Sequence, residues 1–227
     1  MKKLVILISA VIFMGTFGKA QNVSDYKDFI KERKAMASFT KDQMKAKVSK
    51  DAKKAAKSLA KEGWVVAPGA LPLERQLDRA YTMQYEFDMN SGMPKYIRGE
   101  AQTIGENYDA AKMQANALAK IDLAGNIQTE VAALIESRVA NNQMEPEQAA
   151  SVSNSVMGAK NIISQSIGRT MIAVEIYRQL PNKNKEVRLQ LFYNVEMAMA
   201  AAKKGIREEM SKTADKLVDQ LDSLLGF

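Results

Sequence analysis

Apolar residues crowd the stretch from Leu4 to Met14 behind Lys2 and Lys3, and Gly18-Lys19-Ala20 places small residues three and one before Gln21. This is the pattern of a secretory signal peptide over residues 1–20, with an apolar run too short to span a bilayer. The pattern then becomes helical. From Tyr26 to Lys61 there is neither proline nor glycine, and Phe29, Met36, Phe39, Met44, Val48, Ala52, Ala55 and Leu59 recur at roughly helical steps. The spacing predicts one long helix or two abutting ones, with Ser24 as N-cap and Gly63 as the stop. Trp64 to Pro72 is apolar but cannot continue a helix past Pro68, which predicts an extended connector held against the body by Trp64. Pro72 suits the first turn of a new helix, striped by Leu73, Leu77, Ala80, Gln84 and Phe87 and ending before Asn90-Ser91-Gly92.

Lys95 to Ile104 alternates: Tyr96, Arg98, Glu100 and Gln102 on one side, Ile97, Gly99, Ala101 and Thr103 on the other. That predicts a strand whose small-residue face lets a helix lie close. Asn107 is then a good N-cap and Asp109 suits the positive end of a helix dipole. The helix expected from Tyr108 to Asn141 carries Ala110, Met113, Ala117, Ile121, Ala124, Ile127, Val131 and Leu134 at steps of three and four. At 1.5 Å per residue it is about 50 Å long, more than a short strand can cover, so its far half needs other partners. Glu145-Pro146-Glu147 breaks it and opens another helix through Ile163. Arg169–Leu180 and Glu186–Glu196 alternate around Pro181-Asn182-Lys183-Asn184-Lys185, a β-hairpin. A last helix from Ala200 to Leu225 has Ile206, Met210, Leu217, Leu221 and Leu224 as its inner stripe. The expected fold is therefore α+β: a small three-stranded sheet in the order strand-helix-strand-strand, covered by a long helix, with additional N-terminal and C-terminal helices. The expected division is a leader (1–20), a basic helical segment (21–62), a connector with a short helix (63–94), a strand-helix-hairpin core (95–199) and a C-terminal helix (200–227).

Composition narrows the chemistry. The 227 residues include no cysteine and no histidine. Disulfides, acylation of a lipobox cysteine, zinc, haem and iron–sulfur ligation by the usual side chains, histidine-dependent triads and cysteine nucleophiles are thereby set aside. Carboxylate chemistry and oxygen-ligated ions stay open. The candidate acids are Glu100, Glu106, Asp109 and Asp122. A hydrolase built on them needs a cleft that brings two carboxylates together. Gly99 and Gly105 lack the spacing and the following Lys-Ser/Thr of a phosphate loop. The formal net charge of +7 is concentrated: residues 21–62 hold twelve Lys/Arg against six Asp/Glu. Lys31, Lys34, Lys41, Lys45, Lys50, Lys53 and Lys57 form the candidate anionic-surface contact. Such a face suits anionic lipid, nucleic acid or an acidic partner, or is simply solvated.

Tyr96-Ile97-Arg98-Gly99-Glu100-Ala101, the run Asp109 to Lys120 and Val174-Glu175-Ile176-Tyr177-Arg178 together resemble the twenty-kilodalton envelope lipoprotein family of the Helicobacter type. They are also similar to the N-terminal domain of the flagellar assembly protein FlgT. The likeness covers roughly Lys95 to Glu196. The leader and the Gly63–Pro72 segment are similar to uncharacterised exported proteins of Bacteroidetes. The resemblance implies a strand-helix-strand-strand module of the bacterial envelope that binds rather than catalyses. The expectation is an exported, non-enzymatic protein of the periplasm or envelope, not lipid-anchored and without cofactor or metal. Its partner is expected to be another envelope protein, with peripheral membrane or polymer contact through the basic helix as the alternative. Nucleic acid is not expected, and the alanine-rich faces leave a homo-oligomer open.

Overall fold

The computed structural model describes Lys31, Lys34 and residues 46–89, 94–212, 217–218 and 221–225. The expected signal peptide and Ser24 cap, Lys41, Lys45 and Asn90-Ser91-Gly92 lie outside the described residues. Two compact units divide the chain, residues 1–47 and residues 48–227. In the first, Lys31 and Lys34 are helical and exposed. All that follows concerns the second.

Helix α1 spans Lys50–Lys61. The four residues before it are not helical, so no single helix runs from Tyr26 to Lys61. Two local interactions explain the break. The Ser49 hydroxyl accepts from the Ala52 amide at 3.3 Å, and Val48 is buried rather than continuing the helix. At the other end Gly63 takes φ +86°, the Gly63 amide donates to Ala60 and the Trp64 amide to Leu59. This Schellman pairing stops the helix where the sequence predicts, because only glycine adopts that φ without strain. Strand β1, Val65–Val66, follows, and then helix α2, Leu73–Gln84. Pro72 stands just before α2 as its cap residue. The inner face of α2 is Gln76, Leu77, Ala80 and Met83, whereas Gln84 and Phe87 of the expected stripe are exposed. Helix α2 ends at Gln84, and the Lys95 amide donates to the Glu86 carbonyl, bending the chain back before Phe87 completes a turn.

Strand β2 is Tyr96–Gly105, and α3 is Tyr108–Ala140, capped by the Asn107 side chain on the Ala110 amide. Helices α4 (Pro146–Gly158) and α5 (Lys160–Ser166) come next, in place of one helix to Ile163. The chain turns at the fully buried Ala159, so that Val156 and Ile163 both reach the core. Strands β3 (Met171–Gln179) and β4 (Lys185–Asn194) form the hairpin. Helix α6 runs Val195–Lys212 and α7 runs Leu221–Leu225. The expected start at Ala200 is five residues late: the Asn194 side chain accepts from the Met197 amide and starts α6 directly from the strand. The expected single C-terminal helix is two, since Leu217 and Val218 are not α-helical.

The sheet has four antiparallel strands in the order β1-β3-β4-β2, one more than expected. The added strand is the connector, with Val65 opposite Tyr177 and Val66 opposite Ile176. Alternation puts Ile97, Gly99 and Thr103 of β2 and Val187, Leu189 and Leu191 of β4 beneath α3. The line of α3 they meet is Ala111, Ala115, Ala119 and Leu123, one or two residues away from the expected Ala110, Met113, Ala117 and Ile121. Met113 is 74% exposed and Ile121 42%. With alanine on several faces the apolar period is degenerate, and closeness of approach decides which line is buried. The far half of α3, through Ile127, Val131 and Ile135, packs with α4, α5, α6 and α7 in a helical core. On the opposite face of the sheet α1 and α2 cover Val174, Ile176 and Phe192.

Candidate functional site

Helices α1 and α2 lie over the β3 side of their sheet face and leave part of the β2–β4 side open. The result is a cleft of about 500 Å³. Its floor is one face of three neighbouring strands: Arg98 and Glu100 of the edge strand β2, Arg188 and Gln190 of β4, with Val174 and Ile176 of β3. Its walls are Ala55, Ser58 and Leu59 of α1 and Leu77, Ala80, Tyr81 and Gln84 of α2. Register places Glu100 directly across from Gln190, and Gln102 across from Arg188. Arg98 donates to Gln84 at 3.4 Å, and Gln190 donates to Glu100 at 3.5 Å. The cleft thus has an apolar side under the helices and a polar side carrying two guanidinium groups.

A second polar cluster lies farther along the same face. Arg178 donates to Glu186 at 2.6 Å and to the Glu62 carbonyl at 3.2 Å, and its guanidinium sits 4.6 Å above the Trp64 ring. Gln102 donates to the other Glu186 oxygen at 2.5 Å. Burial pushes the Glu186 carboxyl up, but hydrogen bonds from Arg178 and Gln102 together with the Arg178 charge hold it below its ordinary value. This cluster is internally satisfied and holds Trp64 at the start of the connector. Beneath α3 a third group gathers: Tyr108 donates to Glu175, Lys112 donates to the same oxygen at 2.6 Å, and the Tyr108 and Tyr177 rings lie 5.0 Å apart. Burial, then the bond to Glu175, pushes the Tyr108 hydroxyl well above the usual tyrosine range.

Helix side chains hold backbone groups on β2 and on β3. On β2 the Glu100 amide donates to Asp122 at 2.9 Å and Asn126 donates to the Arg98 carbonyl at 2.8 Å. On β3, beyond β1, the Glu175 amide donates to the Gln76 side chain at 2.7 Å, and Gln76 in turn donates to the Leu71 carbonyl at 2.8 Å. These three backbone groups are thereby engaged and do not template pairing with another chain.

The four acids singled out from sequence are not brought together. Glu100 is the one carboxylate among the described residues lining the cleft. Asp122 is bound to the strand margin, Asp109 sits in the first turn of α3, and Glu106 is exposed before it. Among the described residues no group of three or more acidic side chains could hold a metal ion. Of the candidate lysines, Lys50, Lys53 and Lys57 share the exposed face of α1, joined there by Lys54 and Lys61, opposite the buried Ala52 and Ala56. Lys31 and Lys34 belong to the first unit. Arg188 and Gln190 did not figure among the candidates. Their signal was the alternation of β4, where they fall between Val187, Leu189 and Leu191, but only strand register sets them beside Arg98 and Glu100.

The class defined is a mixed α+β module with an antiparallel sheet between helices. The chain matches no family model, no curated protein and no solved structure.

Proposed function

We propose that this chain is a non-enzymatic, exported protein of the bacterial envelope or periplasm that works by binding another protein. The observation that carries the reading is the cleft between α1, α2 and the sheet, half apolar and half lined by arginine and amide side chains. Concave sites with an apolar lining and a few placed polar groups are the usual form of a binding site. The leader pattern and the resemblance of Lys95–Glu196 to envelope modules support the location. Chemical cross-linking in intact producing cells, followed by affinity purification and mass spectrometry, tests it. A defined envelope protein cross-linked through residues of α1, α2, β2 or β4 is the expected result. A chain that cross-links to nothing and stays monomeric by light scattering refutes it.

A second reading has its own observation: five lysines on one exposed face of α1, apolar residues on the other. Here the chain associates with an anionic membrane or polymer by charge. Flotation with vesicles containing anionic lipid then shows binding that weakens with salt. Equal behaviour with neutral vesicles refutes it. Among the described residues no helix is long and apolar enough to cross a membrane.

A further inference from the structure

Three guanidinium groups project from the open face of the sheet, and they are treated differently. Arg178 has a carboxylate at 2.6 Å, a carbonyl and an aromatic ring. Arg98 has a long contact to a neutral amide, and among the described residues neither Arg98 nor Arg188 forms an ion pair. Both line the cleft, where Glu100 is the only opposing charge among the described lining residues. A guanidinium fork matches a carboxylate with two parallel hydrogen bonds. The wall facing them is Leu59, Leu77 and Ala80, which offers apolar surface across the cleft.

Resting on the protein-binding reading above, we propose that the cleft receives an extended segment of the partner in which carboxylate side chains alternate with apolar ones. An extended chain sends successive side chains to opposite sides. Arg188 lies across from Gln102, four positions along from Arg98, so the segment sets one acidic residue on each arginine and its apolar residues under α1 and α2. Glu100 and Gln190 are placed to exchange hydrogen bonds with the segment's amides. Because Asp122 and Asn126 occupy the outer margin of β2, the segment is read by its side chains and is not added there as a fifth strand.

The test uses the full chain and two fluorescein-labelled, amidated peptides, Leu-Glu-Leu-Glu-Leu-Glu-Leu and its Leu-Gln counterpart, measured by fluorescence anisotropy. The acidic peptide binds at least about tenfold tighter than the neutral one, and the R98Q/R188Q variant loses that preference. Ser58→Glu, an exposed change on the cleft wall, weakens the acidic peptide alone. K54Q/K57Q removes the same charge from the outer face of α1 and leaves binding unchanged. Equal binding of the two peptides, an unchanged preference in R98Q/R188Q, an equal loss in K54Q/K57Q, or binding of neither peptide overturns the proposal. So does arginine-dependent binding of oleate in place of the acidic peptide, which makes the ligand an acyl carboxylate. Should R98Q/R188Q misfold by circular dichroism, Ser58→Glu decides alone. In cells, R98Q/R188Q that cross-links to the same partner as the wild type removes the cleft but leaves the protein-binding reading. A wild-type chain that cross-links to nothing removes that reading itself.

Discussion

Replacing Gly99 by alanine tests how closely α3 is seated on the sheet. A methyl group built on Gly99 lies 2.3 Å from the Ala119 carbonyl oxygen, 2.6 Å from the Leu123 Cβ and 2.8 Å from the Leu123 amide nitrogen. Two of these are backbone atoms within a 33-residue helix, so no rotamer change relieves them. Either β2 bends or α3 lifts by about 1 Å, which thins the contact of Ala111, Ala115 and Ala119 with Val187, Leu189 and Leu191. Overpacking of this kind costs about 1–3 kcal/mol, and the backbone contacts place it at the upper end. Alanine also narrows the unfolded ensemble, returning about 0.4–1 kcal/mol. The net expectation is a loss of roughly 2 kcal/mol, read as a lower urea midpoint with unchanged slope and a melting temperature down by about 4–8 °C. Gly125 of α3 is the internal control. A methyl there meets only the end of the Lys160 side chain, at 3.4 Å, so Gly125→Ala raises stability by about 0.5–1 kcal/mol through helix propensity. A Gly99→Ala protein as stable as the wild type refutes the close seating of α3 on β2.

Removing both margin clasps with D122A/N126A frees the Glu100 amide and the Arg98 carbonyl; amide exchange at Glu100 accelerates by hydrogen-exchange mass spectrometry, and unchanged protection refutes the clasp. Gln76→Met leaves the Glu175 amide and the Leu71 carbonyl without their partner and lowers stability by about 1–3 kcal/mol in urea titration. Glu186 has a depressed carboxyl pKa, so its stabilising contribution is fully present above the ordinary carboxylate value of 4.5 and is lost as pH falls through its folded value. The stability gap between the wild type and Glu186→Gln therefore shrinks from pH 6 toward pH 3, and a gap independent of pH refutes the ion pair as its source.

Local pattern alone specified the alternating face of β2, the Asn107 cap, the Gly63 stop and the hairpin of β3 and β4. Each depends on residues within a few positions of one another, and each is found near where it was expected, the second arm of the hairpin ending at Asn194 because Val195 and Glu196 open α6. A long helix from Tyr108 with separate partners for its two halves was legible too, because its length exceeds any strand it can cover. What sequence could not choose was the buried line of α3. Alanines at 110, 111, 115, 117 and 119 give two apolar lines of similar strength, and the near approach at Gly99 selects one of them. The fourth strand was legible only as an extended connector, since two valines pair with β3 only once Trp64 is anchored. The cleft belongs wholly to tertiary structure. Arg98 and Arg188 are ninety residues apart, and antiparallel register sets them on one face while α1 and α2 supply the opposite wall. Periodicity reports which way a side chain points within its own element; which side chains it then meets is decided by how the elements stack.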